Sequence, residues 1–464
     1  MLIIVLSVCG LLGTAPTVPA PAATAAVFTP RDVTPAARPY NDKPGLSRLP
    51  AGRVDGTGVR VYANARITGG RAMNHPVAQA QYGLQLLNTY RLTRDARYLA
   101  VAARQAQRLV DTHVESRGAW WFPYPFDYPL SSGLNNVMRA PWYSAMAQGQ
   151  ATSLFARLAD ATGETRWRDA ADHAFASLQL GYSATEPWAT WRDGNGMLWL
   201  EEYPGPTMST SGRVLNGHLF ATYGVWDYWR TTRSPAAAAL FDMALRTVRR
   251  YVLNGFRNPG WASSYGLRGD VPAERYHAIH INQLLHMHAL TGDPVFATMA
   301  ETLHRDFSSP GQTATIRFAR GVHTGVHFAS ASTGAVTVRR TVRLSRWSEA
   351  PIDSRRRIWG QPGYWYRVTA GMLAGYWVQE APSVRATRAP VSAVPYVGTR
   401  WVRLRAGTWS AYTAQRARTI RLSRASLAPV SAIGWINGRA AVAVSAGALR
   451  GYWLPLTAGA TLLR

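Results

Sequence analysis

A chain of 464 residues, 47% of them hydrophobic and 18 of them Trp, is long enough for two or three cores and excludes a disordered polymer. Its formal charge of +26 comes from 50 arginines and the single Lys43 against 25 acids, so its surface attracts polyanions: nucleic acid, an anionic membrane or an acidic glycan. A single cysteine, Cys9, excludes a disulfide framework.

In chain order, the apolar run Leu2 to Leu12, then small and Pro-rich residues with Ala23-Thr24-Ala25 as a cleavage site, is expected to be a signal peptide over residues 1–26. No basic residue precedes that run, which places the true start upstream or makes the signal a weak one. Cys9 lies inside the segment, so a secreted, mature chain has no thiol nucleophile, and export selects an acidic glycan among the polyanions. The run is too short to span a bilayer and no other stretch reaches 18 apolar residues, so no membrane span is expected. A nucleic-acid partner is not expected either, because no basic tail or nucleic-acid module is present and the arginines look dispersed through structured segments.

Residues 27–74 are rich in Pro, Gly and Arg and read as a linker or hairpin arm with one strand-like run, Gly58 to Tyr62. Over 75–308 apolar residues recur at helical spacing, as in Val77, Ala80, Leu84 and Leu87. A turn signature returns there as Thr93-Arg94-Asp95 with Tyr98, Thr162-Gly163-Glu164 with Trp167, and Thr291-Gly292-Asp293 with Phe296, with a weaker copy at Thr232 followed by Ser234-Pro235. Each acid or Ser is expected to cap the next helix, and each aromatic to pack on its first turn. Stacked helical hairpins of this kind close into an incomplete α/α toroid with a central cleft. Over 309–464 the pattern alternates, and two repeats, about 310–385 and 395–460, are visible: Thr341 to Arg346 returns as Thr419 to Arg424, and Ala370 to Trp377 as Ala446 to Trp453. The expected fold class is therefore α+β multidomain, a helical-hairpin catalytic domain followed by antiparallel β domains.

Three segments of the helical half carry chemistry. They are Trp142 to Gln150, reading WYSAMAQGQ; Glu201-Glu202-Tyr203-Pro204 followed by Val214 to His218 and Gly224 to Tyr228; and Tyr265-Gly266-Leu267-Arg268 followed by Tyr276 to Leu284. In content, order and spacing they resemble the C-terminal domain of D-glucuronyl C5-epimerases over roughly residues 75–308. Animal members carry a β-barrel before this domain, whereas the β material here follows it. The resemblance implies conversion of glucuronate to iduronate in a heparosan-like acidic polysaccharide, without cofactor or metal. It also allows a homodimer, with the arm before residue 75 reaching a partner's cleft.

Epimerisation at C5 places charge beside a carboxylate and so needs two acid/base groups on opposite faces of one carbon and a cation at the carboxylate. Glu202 or Tyr203 suits one face, Tyr276 the other, and Arg268 the carboxylate. A tyrosine is a weak base, and close arginines are expected to favour its phenolate. The resemblance carries catalytic roles onto Glu202, Tyr276, Tyr203 and Tyr265. Substrate contacts are expected from Arg268, Gln148, Asn216, His280, Trp142 and Gln283. Gln148, Gln150 and Asn216 lie on otherwise apolar helices and need partners, whether sugar hydroxyls or neighbouring helices. Tyr276, His280 and Gln283 share one helical face, which suits a cleft or a buried Tyr–His pair equally. His277 and His280 stand i, i+3 without a carboxylate at a helical step, which argues against a metal. Trp120, Trp121, Phe122, Tyr124, Phe126 and Tyr128 form an aromatic loop for stacking on pyranose rings or for packing. The alternatives to an epimerase are a polysaccharide lyase, which begins with the same proton abstraction, and a non-catalytic glycan-binding protein.

Overall fold

The computed structural model describes residues 27–130, 137–269, 271–308, 311–387, 393–413, 416–436 and 439–463; the expected signal peptide and Cys9 lie outside them. Eight helices among these residues form four hairpins: α1 (Pro76–Thr93) with α2 (Ala96–Thr112), α3 (Ala145–Thr162) with α4 (Thr165–Gln179), α5 (Leu215–Thr232) with α6 (Pro235–Tyr251), and α7 (Glu274–Thr291) with α8 (Pro294–Asp306). Each hairpin turns where its first helix ends on a left-handed residue, Arg94, Gly163, Arg233 or Gly292. Asp95, Ser234 and Asp293 then accept a backbone N–H of the following helix. Glu164 does not: its carboxylate turns outward to Arg166 at 2.6 Å, since a longer side chain reaches its neighbour more readily than its own backbone. Tyr98, Trp167 and Phe296 are buried on the first turns they follow.

α1, α3, α5 and α7 pack side by side, each backed by its hairpin partner. α3 is buried from Ala145 to Ala159 because its small residues let helices approach on every side. The tightest approach is to α5, where a Cβ on Gly224 would lie 2.1 Å from the Gly149 carbonyl oxygen and one on Gly149 2.5 Å from the Ala221 Cα. Backbone against backbone cannot yield, so Gly224→Ala is expected to cost about 3 kcal/mol or more of stability. Thermal unfolding checks this against Gly194→Ala, whose Cβ meets nothing and which should leave the transition unmoved.

Residues 27–74 are not a free linker, because Phe28, Val59 and Val61 are buried and the segment bonds to this chain's own helices. The backbone N–H groups of Val27 and Phe28 donate to the Asp242 carboxylate, and the Arg31 carbonyl accepts from Trp226 Nε1. Val59 and Val61 are buried, and Gln105 of α2 bonds the backbone of Gly58 and Arg60 between and beside them. Tyr62 bridges to Met73 and stacks 5.3 Å from Phe126, so the arm reaches the aromatic cluster of its own cleft.

Two seven-stranded antiparallel sheets follow. The first runs in the order Val384–Ala386, Gly311–Phe318, Ser348–Arg357, Tyr364–Val368, Trp377–Gln379, Gly321–Phe328, Val336–Leu344. The second, read in the same sense, runs Ala460–Leu462, Ala393–Leu404, Ser426–Ile436, Arg439–Val444, Trp453–Pro455, Gly407–Tyr412, Ala417–Leu422. Both modules are fastened to the last helices. Glu301 of α8 takes the guanidinium of Arg400 and the Tyr396 hydroxyl, and Arg356 pairs with Glu274 at the start of α7 at 3.1 Å.

Candidate active site

The site begins with a division of labour in Glu201-Glu202. Glu201 is fully buried and structural: its carboxylate accepts Trp191 Nε1 at 2.6 Å and the backbone N–H of Arg213 at 2.9 Å, and its carbonyl accepts the N–H of Ala145 at the start of α3. Adjacent residues of an extended segment point oppositely, so Glu202 faces the other way. Its Oε2 accepts Asn216 Nδ2 at 3.1 Å and its Oε1 faces the Tyr265 hydroxyl at 3.4 Å. Burial pushes the carboxyl up to about 7, more than the hydrogen bonds from Tyr203, Tyr265 and Asn216 hold it down. A carboxyl at that value is half-ionised at neutral pH, the condition for passing a proton both ways.

Four tyrosines surround it. The Tyr265 hydroxyl lies 3.4 Å from that of Tyr203, and the Tyr276 ring sits 4.5 Å from the Tyr265 ring. Tyr128 stacks near-parallel on Tyr203 at 6.2 Å. All four are raised above the ordinary phenol value, first by burial and then by neighbouring charge, chiefly that of Glu202 on Tyr203, Tyr265 and Tyr276. This corrects the expectation that arginines favour a phenolate. Arg275 only weakly opposes the shift of Tyr276, and Arg268 is turned to the Thr210 carbonyl, to which its Nη1 donates. The tyrosines are therefore neutral hydroxyl donors around one ionisable carboxyl.

The structure brings Glu202, Tyr203, Tyr265, Tyr276 and Asn216 together. Three expected substrate contacts are corrected. Gln148 is 0% exposed with its amide consumed by the Phe122 N–H, the Trp120 carbonyl and Ser177, so it anchors the aromatic loop to α3 and α4. His280 is 0% exposed, with Nδ1 on the Ser263 hydroxyl at 2.8 Å, and burial lowers it to about 3, so it is a neutral packing residue. Gln283, 1% exposed, donates to the Asn216 carbonyl at 2.9 Å and positions Asn216 rather than sugar. His277 likewise bonds the Ser263 backbone and the Leu303 carbonyl. Trp142 stacks 3.7 Å from Tyr124 and donates to the Phe126 carbonyl, while one edge lines a groove of about 550 Å³ shared with Arg139, Tyr143, Trp188 and Pro204.

Sequence reasoning missed two members of the cluster. Tyr128 appeared only as a stacking ring, and nothing local distinguishes it from its aromatic neighbours. Gly217 is the other: a Cβ there would lie 2.4 Å from both Cβ and Oε2 of Glu202, so only Gly beside Asn216 lets the carboxyl reach its partner. Gly217→Ala is expected to displace that carboxyl by about 1 Å and lower turnover about 10²-fold while the protein stays folded, checked by activity alongside circular dichroism.

A carboxyl poised near neutrality among un-ionised hydroxyls is equipment for moving one proton, and the class it fits is the epimerases, a group of isomerases. Residues 116–305, the segment that carries Glu202, Tyr265 and Tyr276, match the family model of the D-glucuronyl C5-epimerase C-terminus. Among solved structures the chain is similar to cellobiose 2-epimerase from Spirochaeta thermophila, at 15% identity over 50% of this chain and 58% of that one, with a TM-score of 0.36. It is also similar to cellobiose 2-epimerase from Bacillus thermoamylovorans, at 9% identity over 59% and 68% with a TM-score of 0.38. A family 76 glycoside hydrolase, the α-mannanase of Bacteroides thetaiotaomicron, follows at 11% identity over 51% and 58% with a TM-score of 0.34. The chain thus spans less than two thirds of the length of the first of these.

Proposed function

We propose that this protein is an exported D-glucuronyl C5-epimerase that interconverts glucuronate and iduronate within an acidic, heparosan-like polysaccharide, and that its four hairpins form an incomplete α/α toroid. The observation that carries the reading is the Glu202 carboxyl, raised to about 7 and 3.4 Å from the hydroxyl of Tyr265, whose ring lies 4.5 Å from that of Tyr276. The family match over 116–305 supports the glucuronyl specificity, and the apolar segment from Leu2 to Leu12 supports export.

In the forward direction the Glu202 carboxylate takes the C5 proton, and the electron pair of the broken C–H bond moves onto the adjoining carboxylate as an enediolate. Tyr276 delivers its hydroxyl proton to the opposite face of C5. The step leaves a protonated Glu202 and a Tyr276 phenolate, and the Tyr265 hydroxyl between them returns the proton and resets the pair. Arg268, whose Nη1 donates to the Thr210 carbonyl, is the cation this reading assigns to the uronate carboxylate. Asn216 keeps Glu202 aimed, and Tyr203 and Tyr128 donate toward the developing charge.

The test is incubation of the purified protein with heparosan in deuterated water. Deuterium at C5 with iduronate formed and chain length unchanged supports the reading. Unsaturated, ultraviolet-absorbing ends would replace it with a lyase, and absence of both would overturn it.

A further inference from the structure

Charge is divided unequally along this chain. Residues 309–464 hold 22 arginines and no lysine against three acids, so this third of the chain carries +19 (22 less 3) of the total +26. The three acids are already engaged: Glu349 with Arg317, Asp353 with Arg367 and Glu380 with Arg355. Among the described residues the remaining arginines have no acidic partner within their own modules, and several of them stand in rows.

The rows lie at matching places in the two sheets. Val336–Leu344 and Ala417–Leu422 are each an edge strand, at the corresponding end of the common strand order. Along the first, Val342 is buried while Arg339, Thr341 and Arg343 alternate outward and are exposed, with Arg346 exposed in the turn beyond. Along the second, Thr419 and Arg421 are exposed, with Arg424 in the turn beyond. Beside the arginines each sheet sets a hydroxyl pair: Thr341 with Thr324 across the strands at 3.1 Å, and Thr419 with Ser410 at 3.0 Å. Each also steadies one guanidinium over a tyrosine, Arg340 above Tyr376 at 5.9 Å and Arg416 above Tyr452 at 5.7 Å.

A charge on an edge strand also discourages edge-to-edge pairing, and one residue suffices for that. A row of fork-shaped donors next to hydroxyls, built twice, suits repeated carboxylates on an extended chain. We infer that the two edge strands, through Arg339, Arg343 and Arg346 and through Arg421 and Arg424, form a non-catalytic binding surface for a carboxylate-bearing polysaccharide. The inference rests on the proposed function for its choice of polyanion. The first module is fastened to the start of α7 through Arg356–Glu274, two residues before Tyr276, while its arginine row lies four strands away at the far edge of the sheet.

The experiment uses the full chain with Glu202→Gln, which keeps turnover from confounding binding, and measures affinity for heparosan polymer, for a DNA duplex and for phosphatidylserine vesicles. Replacing Arg343, Arg346, Arg421 and Arg424 together by Ser is expected to weaken heparosan binding at least tenfold, and replacing them by Lys to keep most of it. In the otherwise unaltered enzyme the Ser variant should raise KM for long polymer and leave C5 exchange in a tetrasaccharide unchanged. Undiminished heparosan binding by the Ser variant overturns the inference, and so does tighter binding of DNA or vesicles than of heparosan. Loss of glycan binding in the Ser variant, in a protein that exchanges no C5 proton at all, would sink the epimerase reading and leave the arginine surface standing.

Discussion

Glu202→Gln is expected to abolish C5 proton exchange, by about 10³-fold or more, and at the same time to make the protein more stable above neutral pH. The first effect follows from removing the one ionisable group of the cluster: an amide accepts no proton, and the neighbouring tyrosines are held un-ionised by burial. The second follows from the same burial. The folded carboxyl titrates near 7 instead of at 4.5, so the folded state holds the proton more tightly than the unfolded chain does. Its contribution is fully present below pH 4.5 and is lost as pH rises through 7, a cost of about 3 kcal/mol at pH 8. Glutamine is neutral throughout and escapes it. Thermal unfolding should therefore place the variant a few degrees above the parent at pH 8, with the gap closing below pH 5. In the parent, kcat/KM should climb with pH and level off above about 7, as Glu202 loses its proton. A variant with normal exchange, or a profile flat between pH 5 and 8, would remove Glu202 from the reaction.

How much of this was legible depends on the range over which each residue's neighbours act. The hairpins were readable because Asp95, Ser234 and Asp293 bond to backbone two or three residues away, a contact the local sequence specifies. Glu164 shows the limit even there, since Arg166 competes for the same carboxylate. Glu202, Tyr203, Tyr265 and Tyr276 were found through resemblance, because no spacing rule brings residue 202 beside residue 265. Polar residues on apolar helices were legible as residues needing partners and no further. Gln148 and Asn216 look alike in sequence, yet one is consumed by a loop and a helix and the other holds the Glu202 carboxyl. Charge state was the least legible. Arg268 lies three residues from Tyr265 in sequence, but its guanidinium is turned to a carbonyl of the 207–210 turn, which leaves burial to set the tyrosines.

Tyr276→Phe separates the two halves of the reaction. Removing the hydroxyl takes away the donor on one face of C5 and leaves Glu202 with its partners Asn216, Tyr265 and Tyr203. Glu202 still removes the glucuronate proton and, after exchange with solvent through the Tyr265 and Tyr203 hydroxyls, returns one to the same face. Heparosan in deuterated water should then gain C5 deuterium with its configuration retained, while iduronate formation falls about 10²- to 10⁴-fold, the usual worth of a positioned acid. The ratio of exchange to inversion is the decisive quantity, because a merely structural defect lowers both together. Only a donor confined to the second face changes their ratio. Equal loss of exchange and inversion would mean that Tyr276 supports the cleft without donating a proton, and the opposite-face role would pass to Tyr128, which stacks on Tyr203.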